Sequence, residues 1–451
     1  MPGTANQSAT SVREMLSAAP MSALQMTAVA VSIALNAIDG LDVLAMSFAA
    51  PSIAGEWKIA PSLLGVTISA GLAGMAGGSL LIAPSGDRYG RRPLILLCLV
   101  LMALGMLLTA TAQSVAWLCT WRVVTGVGIG GMIAALNAVA AEFANERRRD
   151  LCVALMAIGY PVGGLLGGLG AAELIQWDGW RSIFAAGGLL TAAFLPLVWF
   201  CLPESVLHLQ RQRSPAALRR MNVLLERMGH PPLSAWPAPE PAEQTRSGGL
   251  RELLGPVYRR PTLLLVGAYF LHILTFYFYS GWLPKLMTDL GFSKPEAIRT
   301  SAIMSMGGIL GGIALGWLTP RLGLKRQVVV AMIATALTMA IFGNLHGLTA
   351  LRITAFAVGI FMLAGIVGLY ASIARAFPAR MRVTGTGLAI GLGRGSAVMG
   401  PVVGGVLLEA GFRMGSVLSA VGMCALAAAV AVAFVPVASN DRLQPLGAAR
   451  G

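Results

Sequence analysis

Residues 83–92 read A-P-S-G-D-R-Y-G-R-R. They lie between two apolar runs, near 62–84 and 93–112, each about as long as the ~20 residues a bilayer-spanning helix needs. Asp87, Arg88, Arg91 and Arg92 crowd into the turn, with Gly86 just before them and Gly90 between them. The stretch therefore reads as a tight, charged turn between two membrane helices. It has a partner: residues 316–325 read G-W-L-T-P-R-L-G-L-K. Arg88 and Gly90 align with Arg321 and Gly323, while Pro320 stands opposite Asp87. A second echo joins G-Y-P-V-G-G at 159–164 to G-P-V-V-G-G at 400–405. A repeated unit of this kind is a transporter plan, with a substrate site near the midplane between the repeats.

Working outward, apolar runs fall near 24–48, 62–84, 93–112, 116–138, 151–173, 182–202, 262–284, 297–318, 328–345, 350–373, 384–407 and 416–436. This predicts an all-α membrane protein of twelve transmembrane helices in two six-helix halves. The expected division is an N-terminal tail at 1–21, a first half at 22–202, a central loop at 203–261, a second half at 262–437 and a tail at 438–451. The loop is rich in Pro and Arg, and one short amphipathic helix is expected near 215–228. The first run is too long for a cleaved leader and carries two acids, so it reads as a retained helix.

Composition agrees. Of 451 residues, 56% are hydrophobic and 12% charged, against about a quarter charged in soluble domains. The net charge of +14 would hint at nucleic acid in a soluble protein. Here the excess sits in loops, so a lipid bilayer is expected as surroundings and no nucleic-acid partner. Lys and Arg in short loops set orientation. Arg88, Arg91, Arg92, Arg147, Arg148, Arg149, Arg321, Lys325, Arg326, Arg375, Arg380 and Arg382 fall on one side. Lys58, Arg181, Lys285, Lys294, Arg299, Arg352 and Arg413 fall on the other. The richer side, and with it both termini, is expected to be cytoplasmic.

Five cysteines lie in or beside apolar runs without a C-x-x-C, and four histidines are scattered. Neither pattern has metal-ligand spacing, so no metal and no cofactor is expected. Residues 126–131 match G-x-G-x-x-G, but no strand precedes them and they lie within a span, so a nucleotide site is rejected. Glycines such as Gly126, Gly130, Gly163, Gly167, Gly400 and Gly404 suit close helix approach instead. No nucleophile–base arrangement suggests an enzyme.

Four charges stand deep inside the apolar runs: Asp39, Asp42, Arg122 and Arg394. A charge at mid-bilayer costs roughly 2.5–3.5 kcal/mol on insertion scales, so such residues are seldom idle. Asp39 and Asp42 are three apart and share a helix face with Asn36. At 1.5 Å per residue, Asp39 lies about 22 Å from one surface and Arg122 about 9 Å from the other, heights that nearly coincide in a ~30 Å core. Arg394, ten residues into its run, lies about 15 Å deep. Two neighbouring carboxylates in a poorly solvated site do not readily ionise together and titrate as a unit, as a proton carrier requires. Arginine suits a carboxylate ligand because its planar fork binds it at two points. Arg394 is read as the anion clamp, with Arg122 second. The plainer alternative is that acids and arginines neutralise each other to fix helix packing.

Phe276, Tyr277, Phe278, Tyr279 and Trp282 crowd one span. Tyr277, about 22 Å deep, is level with the acids, and Tyr277 and Tyr279 are candidates to stack an aromatic ring. Trp282 reads better as an interfacial belt residue. His272 is a candidate proton relay or a packing residue.

These motifs carry a family resemblance. G-D-R-Y-G-R-R at 86–92 resembles the signature cytoplasmic loop of the major facilitator superfamily. Arg122 followed by T-G-V-G-I-G-G resembles its fourth-helix motif, and Leu202-Pro203-Glu204-Ser205 its exit from helix six. Asp39-Gly40-Leu41-Asp42, Gly281-Trp282-Leu283-Pro284 and G-T-G-L-A-I-G-L-G-R-G at 385–395 resemble the aromatic acid/proton symporter branch. The resemblance implies a monomeric carrier in the bacterial inner membrane. It implies alternating access and proton-driven import of a monocyclic aromatic, benzoate-like or related organic carboxylate. It places helices one and four on a central cavity, where Asp39 or Asp42 would pair with Arg122. It implies gating by Asp87, Arg88, Gly90, Arg91 and Arg92. Asp87 would cap a helix near Thr384 when the inner gate is shut, and Arg91 or Arg92 would pair with Glu142. Ala83 and Ser85 depart from the usual loop motif. The competing functions are a drug/metabolite proton antiporter of the same superfamily and a non-transporting membrane receptor.

Overall fold

The computed structural model describes residues 19–236, 250–377 and 379–436, together with Val12, Met15 and Leu16. The rest of the N-terminal tail, residues 237–249 of the central loop, the C-terminal tail and the side chains of Arg380 and Arg382 lie outside the described residues. Among the described residues the regular structure is helical and holds no strand. Eleven helices are long and apolar enough to cross a membrane. They are α1 (Ala23–Trp57), α2 (Pro61–Leu81), α3 (Arg91–Ala110), α4 (Val115–Phe143), α5 (Arg149–Cys201), α6 (Arg259–Asp289), α7 (Lys294–Leu322), α8 (Leu324–Phe342), α9 (Leu348–Ala376), α10 (Ala379–Glu409) and α11 (Met414–Ala433).

The helix ends follow local chemistry. Ser22 and Gln25 cap α1 reciprocally, and Ser293 and Glu296 do the same for α7, each pair satisfying otherwise orphaned N–H groups. Lys58, in the left-handed region at φ 49°, ends α1. The helix thus runs through Pro51 and beyond the apolar run at 24–48, because polar Ser52 and Glu56 end the hydropathy signal and not the hydrogen-bond ladder. The runs at 151–173 and 182–202 sit in one 53-residue helix, α5. At 1.5 Å per residue it would measure about 80 Å, far more than a ~30 Å core. It is broken at Asp178 and Gly179, where φ is −138° and 67°, and the positive φ suits glycine.

The helix surfaces are apolar inside and out. Leu80, Leu97, Leu166, Leu189, Ile313 and Leu337 are among many large exposed aliphatics. A soluble protein does not expose so much apolar surface without a partner. Close approach inside depends on small residues. A Cβ on Gly126 of α4 would run into the Gly71 carbonyl of α2, and one on Gly130 into the Met75 carbonyl. The expected amphipathic helix forms at Pro215–Arg227. It buries Ala217, Met221, Leu224 and Leu225 against the base of the first helices and turns Arg219, Arg220 and Arg227 outward.

Helices α1–α5 meet α6–α11 mainly where α2 lies on α10, α5 on α7 and α1 on α6. Small side chains stitch this seam. Ser47 Oγ donates to the carbonyls of Ser280 (2.6 Å) and Gly281 (2.9 Å), and Ser69 Oγ to that of Val398 (2.7 Å). Glu173 pairs with Arg299 across it, and Glu409 accepts from the Ser62 N–H at 3.1 Å.

Candidate functional site

Asp39 and Asp42 lie mid-way along α1 and are fully buried. None of their four carboxylate oxygens has a hydrogen-bond partner among the described residues. Buried carboxylates almost always find donors, so these two are candidates for a functional role. The acids face different cations: Asp39 feels Asp42 and Arg394, whereas Asp42 feels Arg122. The Thr191 hydroxyl, also near Asp42, donates to the Gly187 carbonyl at 2.9 Å.

Arg122, 2% exposed, sits beside Asp42 as the depth count suggested, but does not take its carboxylate. Its Nη2 donates to the Asp42 main-chain carbonyl at 2.8 Å and its Nη1 to Met106 Sδ at 3.2 Å. Its guanidinium lies 5.6 Å from the Phe184 ring centre. The fork is thus held on three sides. Arg394 is freer. It is half-buried on α10, and its Nη1 donates to the Met75 carbonyl of α2 at 3.1 Å. Among the described residues neither arginine has a carboxylate within 4.0 Å. A half-buried guanidinium held by one neutral carbonyl can receive an anion by exchanging a weak acceptor for a charged one.

The other expected residues divide. Tyr277 is half-buried, packs edge-on against Phe276 at 5.0 Å, and shares its surroundings with Tyr160 and Arg394. Tyr279, two residues on and so on the far side of α6, is fully buried edge-on against Phe342 of α8 at 5.6 Å. His272 is fully buried and bonds through Nε2 to the Met362 carbonyl of α9 at 3.0 Å. Asn36 donates to the Met156 carbonyl of α5 at 2.6 Å. These three tie or fill helix interfaces. Trp282, expected at the interface belt, is buried and donates to the Pro401 carbonyl at 3.0 Å.

At the end of the bundle near the 83–92 turn, Arg91 pairs with Glu142 of α4, and Ser205 Oγ donates to the same carboxylate at 2.7 Å. Glu204 accepts from the main-chain N–H of Arg91 (2.9 Å) and of Ser205 (2.8 Å), capping α3. The L-P-E-S signature pointed at this residue without giving it a job. Gly90, at φ 105°, lets the turn close on it: a Cβ there would collide with the Glu204 carboxylate. Arg92 lies over the Trp199 ring and Arg88 over Tyr89, each at 5.2 Å. Asp87 is not on α10. Its carboxylate lies 3.6 Å from Arg211, with both side chains 66% exposed. Glu173 and Glu409 tie the seam between the two helix groups at the end away from Asp87.

A cavity of about 620 Å³ lies elsewhere, between α1 and the two limbs of α5. Leu41, Leu166, Gly167, Gly187 and Leu190 are among its lining residues, which include no charged side chain, so it does not suit an anion.

The sequence as a whole now has a context. The model of the Major Facilitator Superfamily matches residues 32–347 and 265–450. The chain belongs to the Major Facilitator Superfamily. It is a membrane transporter, not an enzyme. Among its relatives, the gallate transporter of Pseudomonas putida is 31% identical over 93% of this chain and 94% of its own. The 4-hydroxybenzoate transporter PcaK of Pseudomonas aeruginosa is 30% identical over 93% and 94%. The 3-(3-hydroxy-phenyl)propionate transporter of Escherichia coli is 30% identical over 90% and 93%. Among solved structures, a D-xylose-proton symporter superposes with a TM-score of 0.70 over 91% of this chain and 98% of its own, at 16% identity. A bacterial homologue of the human lysosomal transporter Spinster, in an inward-facing conformation, gives 0.62 over 92% and 95%, at 17% identity. These two likenesses concern the fold alone.

Two groups at the site escaped the sequence reading: Glu204 as a helix cap, and the tyrosines that join Tyr277 near Arg394. Tyr269, two turns before Tyr277 on α6, carried a faint signal by spacing. Tyr160 and Tyr370 carried none.

Proposed function

We propose that this transporter is a proton-coupled symporter that imports a monocyclic aromatic carboxylate, benzoate-like or related, by alternating access. The observation that carries the reading is the pair Asp39 and Asp42: buried, three apart, with four carboxylate oxygens unpartnered among the described residues and an arginine within electrostatic reach of each. Such a pair takes up and releases a proton as its surroundings change from wet to dry. The Arg394 guanidinium would receive the substrate carboxylate, drawing positive charge away from Asp39 and coupling anion binding to the proton. The printed names of the relatives support an aromatic acid as cargo.

Topology follows the same reading. With α5 counted as two spans about the Asp178–Gly179 break, the chain has twelve spans in two six-helix halves, 22–202 and 262–437, joined by the loop 203–261. The arginine-rich loops put both termini in the cytoplasm, with a bacterial inner membrane as location and a monomer as working unit. The end bearing Asp87 is then cytoplasmic, and the polar ties across the seam at the opposite end support an inward-facing reading of this conformation. Asp87 would meet the start of α10 in the opposite state.

The test is uptake of labelled benzoate and hydroxybenzoates by vesicles containing the full chain. An inward-directed proton gradient should raise accumulation severalfold, and a protonophore should abolish it. Accumulation indifferent to the gradient would remove proton coupling. Loss of preloaded acid driven by an inward proton gradient would favour an efflux antiporter.

A further inference from the structure

Four of the seven tyrosines cluster from three helices, two of them, Tyr269 and Tyr277, in the surroundings of Arg394. They are Tyr160 of α5, Tyr269 and Tyr277 of α6, and Tyr370 of α9. Tyr269 and Tyr370 face each other with ring centres 5.5 Å apart, and their hydroxyls form one hydrogen bond of 2.9 Å. Tyr269 is 4% exposed, whereas Tyr370 is 40% exposed. Gly393, the neighbour of Arg394, makes room for this arrangement: a Cβ there would run into the Tyr269 ring. Tyr277 and Tyr160 continue the wall with Phe276, whose ring centre is 5.0 Å from that of Tyr277 and 6.4 Å from that of Tyr160.

A tyrosine hydroxyl is one donor and an acceptor. When two bond to each other, one O–H is used and one is left over, and both oxygens keep acceptor capacity. The pair is therefore half-satisfied by itself. It lies in the surroundings of the one buried-site guanidinium still able to take an anion, beside aromatic faces able to stack a ring. Arg394 would hold a carboxylate whatever the ring carries. A spare hydroxyl donor and acceptor at the same site suits a ring that carries a polar substituent.

We propose that Tyr269 and Tyr370 form a subsite for a ring hydroxyl, so that the transporter selects hydroxylated aromatic carboxylates over the unsubstituted ring. This rests on the aromatic-carboxylate reading above and adds the residues that set specificity within it. The competing role for the pair is simply to lace α6 to α9.

The experiment measures binding to purified full-length protein, by tryptophan-fluorescence quenching or calorimetry, of benzoate and its 2-, 3- and 4-hydroxy derivatives. The wild type should bind at least one hydroxy isomer about tenfold more tightly than benzoate, since a site built to bond a hydroxyl discriminates against the analogue lacking it. Tyr370→Phe and Tyr269→Phe should each weaken that isomer about 3- to 10-fold, the range of one net hydrogen bond, and weaken benzoate less than about 2-fold. Retained benzoate binding also shows that the variants are folded. If the wild type binds benzoate as tightly as all three isomers, the subsite is refuted while the aromatic-carboxylate reading stands. If the Phe variants weaken benzoate and hydroxybenzoates alike, the pair only laces the helices. If the wild type binds none of the four, the aromatic-carboxylate reading falls and takes this inference with it.

Discussion

Arg394 of α10 donates to the main-chain carbonyl of Met75 on α2 at 3.1 Å. One side chain thus spans the seam between the two helix groups, carries the charge suited to an anion, and lies within electrostatic reach of Asp39. Met75 is a fixed partner because Gly130 of α4 sits directly against its carbonyl. An anion that drew the guanidinium away would loosen the seam at the depth of the acids, a direct route from binding to rearrangement.

The first prediction concerns that guanidinium. Arg394→Lys keeps the charge but loses the fork, so carboxylate affinity should fall about 3- to 10-fold while some transport survives. Arg394→Ala should cost roughly 10- to 100-fold, the range of a hydrogen bond to a charged group. A neutral amide analogue should bind the wild type poorly and lose little more in the Ala variant. Calorimetry on purified protein reads all three. Equal losses for acid and amide would make Arg394 a packing residue and Arg122 the preferred clamp.

Arg122 should behave differently. Its fork is held by the Asp42 carbonyl, Met106 and Phe184, and it is the cation facing the buried Asp42 carboxylate. Truncating this buried arginine side chain leaves a cavity and a buried carbonyl without its donor, a cost of about 2–5 kcal/mol. Arg122→Ala should therefore lower the unfolding temperature and yield markedly, whereas Arg394→Ala should leave both near wild type. Equal thermal melts for the two variants would contradict this division.

Asp39→Asn and Asp42→Asn should each abolish accumulation under a proton gradient while leaving exchange of labelled for unlabelled substrate. Exchange need not release the proton; net uphill transport must. Paired uptake and exchange assays in vesicles measure it. If both variants still concentrate substrate, the proton carrier lies elsewhere.

Asp87 is exposed here and makes only a long contact to Arg211, so Asp87→Asn should not lower thermal stability. Its effect should fall on the opposite conformation, where it would lose a helix-end interaction worth about 0.3–1 kcal/mol. Labelling of a cysteine placed at Ser372 should rise about 2- to 5-fold as the balance moves away from the state in which Asp87 caps a helix. Unchanged labelling with normal transport would remove the gating role.

Glu204→Gln should weaken the cap on α3 by about 0.5–2 kcal/mol. Gly90→Ala should be at least as harmful, because φ there is 105° and the added Cβ meets the same carboxylate. Thermal melts of the two variants and of the double variant check this. Strictly additive losses would mean that the two residues do not act on one turn.

What the sequence determined by itself is whatever depends on local cost. Apolar length marks spans, because a bilayer admits few other segments. Repeated loop motifs point to a duplicated unit, and charges in fat single out Asp39, Asp42, Arg122 and Arg394, because a charge at mid-bilayer is costly to keep. The pairing of Arg91 with Glu142 was legible through family motifs, and the amphipathic helix Pro215–Arg227 through its apolar stripe. Partner choice was not legible, since a side chain's neighbours come from other helices. Only the tertiary structure sent Arg122 to a carbonyl instead of a carboxylate, and sent His272 and Asn36 to carbonyls of α9 and α5. It also turned Tyr279 into the α8 interface while leaving Tyr277 beside Arg394. Packing decided these outcomes, because within a helix bundle a buried polar group takes the nearest acceptor its rotamer can reach. The meeting of Tyr269 and Tyr370, 101 residues apart, belongs wholly to that second level.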